Sequence, residues 1–93
     1  MRRIERTNQF KRDYKRESKS RNREALAAEF IEILSLLADD FPLPFRCFDH
    51  ALTGDWADHR DCHVRPDFVL IYRKVGNDVL QLVRLGSHSE LGL

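Results

Sequence analysis

Four histidines interleaved with two aspartates give this 93-residue sequence its main chemical signal. An imidazole has a pKa near ~6.5, so both its basic and its acidic forms are available at neutral pH. Two such groups could cleave RNA through its own 2′-hydroxyl, because one can remove the hydroxyl proton while the other protonates the leaving 5′-oxygen. That reaction requires no metal ion. The groups are His50, His59, His63, His88, Asp61 and Asp67.

Three arginines near these groups could hold a phosphate: Arg60, Arg65 and Arg84. Guanidinium groups bind phosphate oxygens in a fork and can stabilise charge that develops at phosphorus. Phe68 could stack on a base, although packing inside the protein is the commoner role of an aromatic ring. For His59, next to Arg60, we expect an ordinary surface role.

A metal site is a second interpretation of the same residues. His50, Asp61, His63 and His88 could supply ligands, and Asp61-x-His63 could present two of them from one strand face. The spacing is permissive, however, and the sequence lacks an HExxH or CxxC pattern. Because there is no CxxC pattern, we expect Cys47 and Cys62 to be reduced thiols. We expect no metal and no other cofactor.

The stretch from residue 60 to residue 72 has to position several of these side chains. Strand side chains alternate between two faces, so Asp61, His63 and Arg65 would share one polar face. Residues 68–72 are an uninterrupted apolar run, rich in β-branched types, as expected for a strand that is buried on both faces. A reactive strand is thus predicted beside a central one.

The rest of the chain predicts an α+β domain over residues 1–93. Phe10 and Tyr14 give a narrow apolar stripe to a charged helix that ends near Ser18 and is too polar to be deeply buried. Leucines and Phe30 recur at three- and four-residue steps on a core helix that spans roughly residues 26–39. Strands are expected at residues 2–7, from Trp56 onward, and at residues 79–85. Two N-terminal helices would pack on one face of a small, mainly antiparallel, twisted sheet.

Composition is globular, with 42% hydrophobic and 33% charged residues. No apolar run approaches the ~18 residues of a membrane span and no signal peptide is visible, so we expect a cytoplasmic protein. The first 23 residues hold ten Lys or Arg and three Asp or Glu. Such a basic segment could bind a phosphate backbone, although solvated basic helices are common. Its helical positions are Lys11, Arg12, Lys15, Arg16 and Lys19.

Three motifs carry a family resemblance: Asp49-His50 before Gly54, the stretch around Asp61-x-His63-x-x-Pro-Asp67, and Gly86-x-His88. With them the chain resembles the YafQ branch of the RelE-like bacterial toxins, which cleave messenger RNA in the ribosome. The resemblance spans roughly residues 42–91. It implies that the ribonuclease site consists of His50, Asp61, His63, Asp67 and His88.

Further roles follow from the resemblance. His88 would be the general acid, Arg84 would be the basic group of the last strand, and Phe68 would replace a frequent tryptophan as the stacking ring. Some relatives have another aromatic ring at the position of Gly92. The general base stays open between His50, His63 and Asp67.

The resemblance also implies partners. We expect a ribosome-dependent endoribonuclease of a bacterial type II toxin–antitoxin pair, acting on messenger RNA, with the basic helix contacting ribosomal RNA. Its antitoxin would be small, acidic, partly disordered and DNA-binding, and operator DNA would be bound only through the toxin–antitoxin complex. The alternative is a non-catalytic basic module that binds RNA or the ribosome, in which the histidines are structural.

Overall fold

A computed structural model describes all residues, 1–93. Its five strands are β1 (Arg3–Arg6), β2 (His50–Ala51), β3 (Arg60–Arg65), β4 (Phe68–Val75) and β5 (Val79–Gly86). Its four helices are α1 (Asn8–Glu17), α2 (Arg23–Ala27), α3 (Glu29–Ala38) and α4 (His88–Leu91). Short 3-10 turns cover Phe45–Cys47 and Gly54–Trp56. None of the helices has the length and apolar character that crossing a bilayer requires.

The five strands form one sheet in the order β1-β5-β4-β3-β2. β1 runs parallel to β5, and the other three neighbouring pairs are antiparallel. The prediction of an α+β fold with a small, mainly antiparallel sheet is therefore confirmed.

Strand β4 is buried on both faces, which explains its uninterrupted apolar sequence. Phe68, Leu70 and Tyr72 join the main core that α1, α2 and α3 cover. Val69 and Ile71 join a smaller cluster on the opposite face, completed by α4. The sheet thus has one helix-covered face and one face that α4 covers only in part.

Helix α1 is held against β5 by a buried carboxylate. Asp13 is fully buried and accepts hydrogen bonds from the Arg84 guanidinium at 2.7 Å and the Leu85 backbone N–H at 3.0 Å. Arg16 also bonds Asp13, at 2.9 Å, and donates to the Leu85 carbonyl. The expectation that this helix is too polar for deep burial is wrong for one face, because Glu17 is buried as well.

Two predicted element boundaries are also wrong. The core helix is divided at Ala28, whose backbone (φ −126°, ψ −87°) is not helical, while Leu26 before the break and Phe30 after it are both buried. Strand β3 begins at Arg60 and not at Trp56, because the preceding residues include a left-handed Asp58 (φ 69°), which an extended strand does not accommodate.

Candidate active site

Strands β2 and β3 bring two candidate residues side by side. His50 lies directly opposite Asp61 in the antiparallel register. Just before β2, Asp49 accepts hydrogen bonds from the Tyr72 hydroxyl at 2.6 Å and from the Arg60 guanidinium at 3.2 Å. These contacts fix the start of β2 and thereby position His50.

The tautomer of His50 follows from its surroundings. Its Nδ1 is 2.9 Å from the Phe48 carbonyl oxygen and 3.0 Å from Asp61 Oδ1. Both neighbours are acceptors, so Nδ1 carries the proton and donates to the carbonyl. Nε2 is then the basic atom of the neutral ring.

Asp61 is a buried carboxylate with an unsatisfied oxygen. Its side chain is 4% exposed, and Oδ1 accepts no well-directed hydrogen bond. Burial raises the pKa of the Asp61 carboxyl, while the imidazoles of His50, His63 and His88 act in the opposite direction. Leaving a buried charge without a hydrogen bond is costly, and the cost is relieved either when the carboxyl is protonated or when a neighbouring ring is positive. Asp61 is therefore placed to stabilise a proton held by this cluster.

His88 is anchored by two kinds of contact at the start of α4. Asp67, in the turn between β3 and β4, accepts from His88 Nδ1–H at 2.7 Å and from the His88 backbone N–H at 3.0 Å. These hydrogen bonds lower the pKa of the Asp67 carboxyl. Ser87 and Glu90 form a capping box that fixes the first turn of α4. The His88 ring is thus oriented with Nε2 free of protein partners.

His63 links the two halves of the cluster. It lies on β3 two residues after Asp61, is half-buried, and makes no hydrogen bond. Its ring meets the His88 ring edge-on, with centroids 5.0 Å apart. The structure therefore brings all five predicted residues together: His50, Asp61, His63, Asp67 and His88. The two touching rings could take up and release protons on the same substrate.

The three candidate phosphate-binding arginines are all engaged with carboxylates. Arg60 bonds Asp49 at 3.2 Å, Arg65 bonds Glu29 at 2.6 Å and Arg84 bonds Asp13 at 2.7 Å. Arg84 in particular is largely buried against α1, with its side chain 21% exposed. A phosphate at this site would have to compete with an acid for each guanidinium.

The aromatic rings are arranged differently from the sequence-based expectation. Phe68 is 1% exposed in the main core, so its ring offers no face to a base and packing is the role that fits. Phe48, which sequence reasoning missed, lies against the rings of His50 and His63, at 5.0 and 5.7 Å between centroids. Its place directly before Asp49-His50 was the available signal. His59 packs on Trp56, away from the cluster, as expected for a surface residue.

The basic residues of the first helix divide into two groups. Lys11, Lys15 and Lys19 are exposed and make no ion pair, and Arg12 bonds only Gln9. Arg16 instead contacts Asp13, Glu17 and Glu90, so its charge is used inside the protein. Lys11 and Lys15 on α1, with Lys19 in the turn after it, are therefore available to a phosphate backbone.

A groove of about 620 Å³ leads along the sheet edge to His63. Arg46 and Arg65 lie on its walls, with Glu29 as the one acid. A strand of nucleic acid could lie in such a groove with its phosphates near the arginines.

Comparison with known proteins identifies the family. Residues 2–92 match the family model described as the bacterial toxin of type II toxin–antitoxin systems, YafQ. The chain therefore belongs to the YafQ family of bacterial toxins. The mRNA interferase toxin YafQ of Escherichia coli K12 is 37% identical over 88 residues, which cover 95% of this chain and 92% of the relative.

Solved structures agree with that assignment. YafQ in the crystal structure of the E. coli DinJ–YafQ complex is 36% identical to this chain, with 98% of each chain covered and a TM-score of 0.81. A metal-bound toxin from Helicobacter pylori is also 36% identical, with 98% of this chain and 99% of that chain covered and a TM-score of 0.80.

The metal in the H. pylori relative calls for a test of fit in this chain. Here no group of three or more His, Cys, Asp or Glu is placed to hold a metal ion. His50 Nδ1 donates to a carbonyl and His88 Nδ1 donates to Asp67, which leaves Nε2 of each ring as the atom that could bind a metal. Metal-free cleavage therefore stays a prediction.

Proposed function

We propose that this toxin is a ribosome-dependent endoribonuclease that cuts translated messenger RNA by acid–base catalysis through the RNA 2′-hydroxyl. The observation that carries the proposal is the touching pair of imidazoles, His63 and His88, with Asp67 orienting one ring and Asp61 buried beside both. This arrangement supplies two proton-transfer groups and a fixed negative charge within one site.

The residues take the following roles in the proposed reaction. A basic imidazole, His50 or His63, removes the 2′-hydroxyl proton, and the 2′-oxygen attacks the adjacent phosphorus. The bond from phosphorus to the 5′-oxygen breaks, and His88 gives that oxygen a proton from Nε2. Asp67 serves as the orienting partner of His88, which makes it a poor choice for the base. The products are a 2′,3′-cyclic phosphate and a 5′-hydroxyl end.

Dependence on the ribosome is supported by the arginines. Arg60, Arg65 and Arg84 are each bound to an acid, so the free protein offers the phosphate no unengaged guanidinium among them. A message held in the ribosome arrives already positioned, which supplies the orientation that the toxin does not provide by itself. The three free lysines of α1 and the turn after it could contact ribosomal RNA at a distance from the scissile bond.

The partner proposal rests on the family and on one relative. E. coli YafQ is crystallised as a complex with DinJ. We propose that this chain likewise pairs with its own antitoxin, a small, acidic, partly disordered and DNA-binding protein, and that operator DNA is reached only through the complex.

The experiment that tests the enzyme proposal compares His88→Gln with His59→Gln. Cleavage of a message on programmed ribosomes should fall about 10²- to 10⁴-fold for the first variant, the usual contribution of a positioned acid. The second variant changes a histidine outside the cluster and should cut normally. Wild-type cleavage should persist with a chelator that removes transition metals and leaves the magnesium of the ribosome in place.

Three results would contradict the proposal. His88→Gln could cut as fast as wild type, or wild type could arrest translation without producing new 5′ ends. The second outcome would support the alternative of a non-catalytic module that binds RNA or the ribosome. Loss of cleavage with the chelator, restored by one added metal, would overturn the metal-free mechanism.

A further inference from the structure

Three phenylalanines are exposed in the ten residues that follow helix α3. Phe41, Phe45 and Phe48 are 59%, 98% and 61% exposed. Single exposed apolar residues are ordinary, but a cluster of aromatic rings facing water is a common mark of a binding surface. Only Phe48 also touches the candidate active site.

The backbone at Phe48 is in an unfavourable conformation. Its φ and ψ are both 47°, in the left-handed region that costs a residue with a bulky side chain free energy and is readily adopted by glycine. The conformation has two consequences: the carbonyl accepts the His50 Nδ1–H, and the ring lies against His50 and His63. Strained residues persist where the surroundings enforce them, and they occur frequently at functional sites.

We infer that Phe48 is a stacking platform for a nucleobase of the single-stranded RNA next to the scissile phosphate. This inference rests on the proposed function and names a subsite of the same site. Proteins bind unpaired bases by stacking them on exposed aromatic rings. The ring is in direct contact with two of the imidazoles, so a base lying on it would place its own sugar and phosphate near them.

Phe48 is the exposed ring that lies against the candidate active site. Phe68, the ring that the sequence suggested for stacking, is instead enclosed in the main core. Phe48 also has space in front of it, because a hollow of about 350 Å³ lies beside it and Phe45, with Pro42, Leu43, Pro44 and Asp49 as the other walls. Cys47, buried directly before it, anchors the segment in the core.

The test uses four variants, a message with cleavage sites mapped for the wild-type toxin, and programmed ribosomes. Phe48→Gly removes the ring and suits the left-handed backbone, so its thermal unfolding midpoint should be unchanged or higher. Its kcat/KM should nevertheless fall about 5- to 150-fold, the fold-change that ~1–3 kcal/mol of stacking produces at 1.4 kcal/mol per factor of ten. Phe48→Leu keeps an apolar side chain without a ring and should fall by a similar factor. Phe48→Trp should retain wild-type activity.

Phe41→Ala is the matched control, because it removes a ring that is 59% exposed, close to the 61% of Phe48, and that touches neither the histidines nor the hollow. Its kcat/KM should stay at the wild-type value. If Phe48→Gly and Phe48→Leu cut with wild-type kcat/KM while binding the antitoxin more weakly, the ring belongs to a protein interface and the inference is wrong. A shifted pH profile with an unchanged KM would also overturn it, since that would mean that the ring only shields the imidazoles.

The two proposals fail in distinguishable ways. If His88→Gln still cuts RNA, the proposed function is wrong, whatever Phe48 does. If His88→Gln is inactive and Phe48→Gly retains full kcat/KM, only the stacking inference is wrong.

Discussion

Replacement of Asp13 by asparagine should destabilise this protein severely, although Asp13 lies outside the candidate active site. Its carboxylate is fully buried and bonds two arginines and a backbone N–H. Burial by itself would raise the pKa of this carboxyl, but hydrogen bonds from Arg84 and the Leu85 N–H, together with Arg16, hold that pKa below its usual range. Asparagine keeps the shape and removes the charge.

The expected loss in the free energy of unfolding can be estimated. Removing one partner of a buried ion pair costs about 3–5 kcal/mol, because the other charge is left unpaired. Arg84 retains 21% exposure and Arg16 is 42% exposed, so water can partly compensate and we expect about 3 kcal/mol. A chain of 93 residues has a free energy of unfolding of roughly 5–14 kcal/mol, so the loss is a large part of the total.

The assay is urea unfolding of wild type, Asp13→Asn and the control Asp40→Asn. Asp40 pairs with Arg2 and Lys74 at the surface, where water screens an ion pair and its contribution to stability is small. Because the Asp13 pKa is depressed in the folded state, its contribution is present above the unfolded pKa of about 3.9 and is lost as the pH falls through the folded pKa. The difference from wild type should therefore shrink below about pH 4. If both variants lost the same small amount at neutral pH, this reasoning would be refuted.

The remaining predictions concern the basic helix and the buried acid of the site. Replacing Lys11, Lys15 and Lys19 together by alanine should weaken ribosome binding and lower its salt dependence by about one unit of slope per lost contact. The unfolding midpoint should stay unchanged. Unchanged ribosome affinity and salt slope would mean that these lysines do not contact the ribosome. Asp61→Asn should reduce cleavage and yet stabilise the fold at neutral pH by about 1 kcal/mol, since an unsatisfied buried group is neutralised. The pKa of Asp61 is raised in the folded state, so wild type should lose stability relative to this variant as the pH rises above about 3.9. The measurement is thermal unfolding over a pH series. Equal stability of the two proteins at every pH would contradict this prediction.

Local patterns were sufficient to predict β3 and β4, the two central strands of the site, but not the short strand β2 at His50 or helix α4 at His88. The alternation around Asp61 and His63 and the apolar run of β4 are visible in neighbouring residues, because the side-chain period of a strand is a local property. The sheet and its two faces followed from these patterns. The five residues of the cluster could be named from their types and from the family resemblance, but the distances between them could not be predicted.

Contacts between distant parts of the chain could not be read in the same way. Asp13 stands among basic residues, and only its position three residues after Phe10 indicated that it shares the buried face of α1. That the arginines would be bound by acids, and that Phe48 rather than Phe68 would face the histidines, depends on how elements far apart in sequence come together. The helix break at Ala28 could not be predicted either, because no glycine or proline lies next to it in the sequence.

The parallel pairing of β1 with β5 has a consequence for how the toxin is made. The Thr7 hydroxyl bonds the Val83 carbonyl across a separation of 76 residues, and α1 docks on the same late strand. At ~5–20 residues per second, translation takes about 4–15 s to cover that distance, and β1 has no strand to pair with during this time. His88 follows β5 in the chain, so the candidate active site is incomplete until the same late stage. A nascent chain that has not yet reached His88 thus lacks one of the two touching imidazoles of this site.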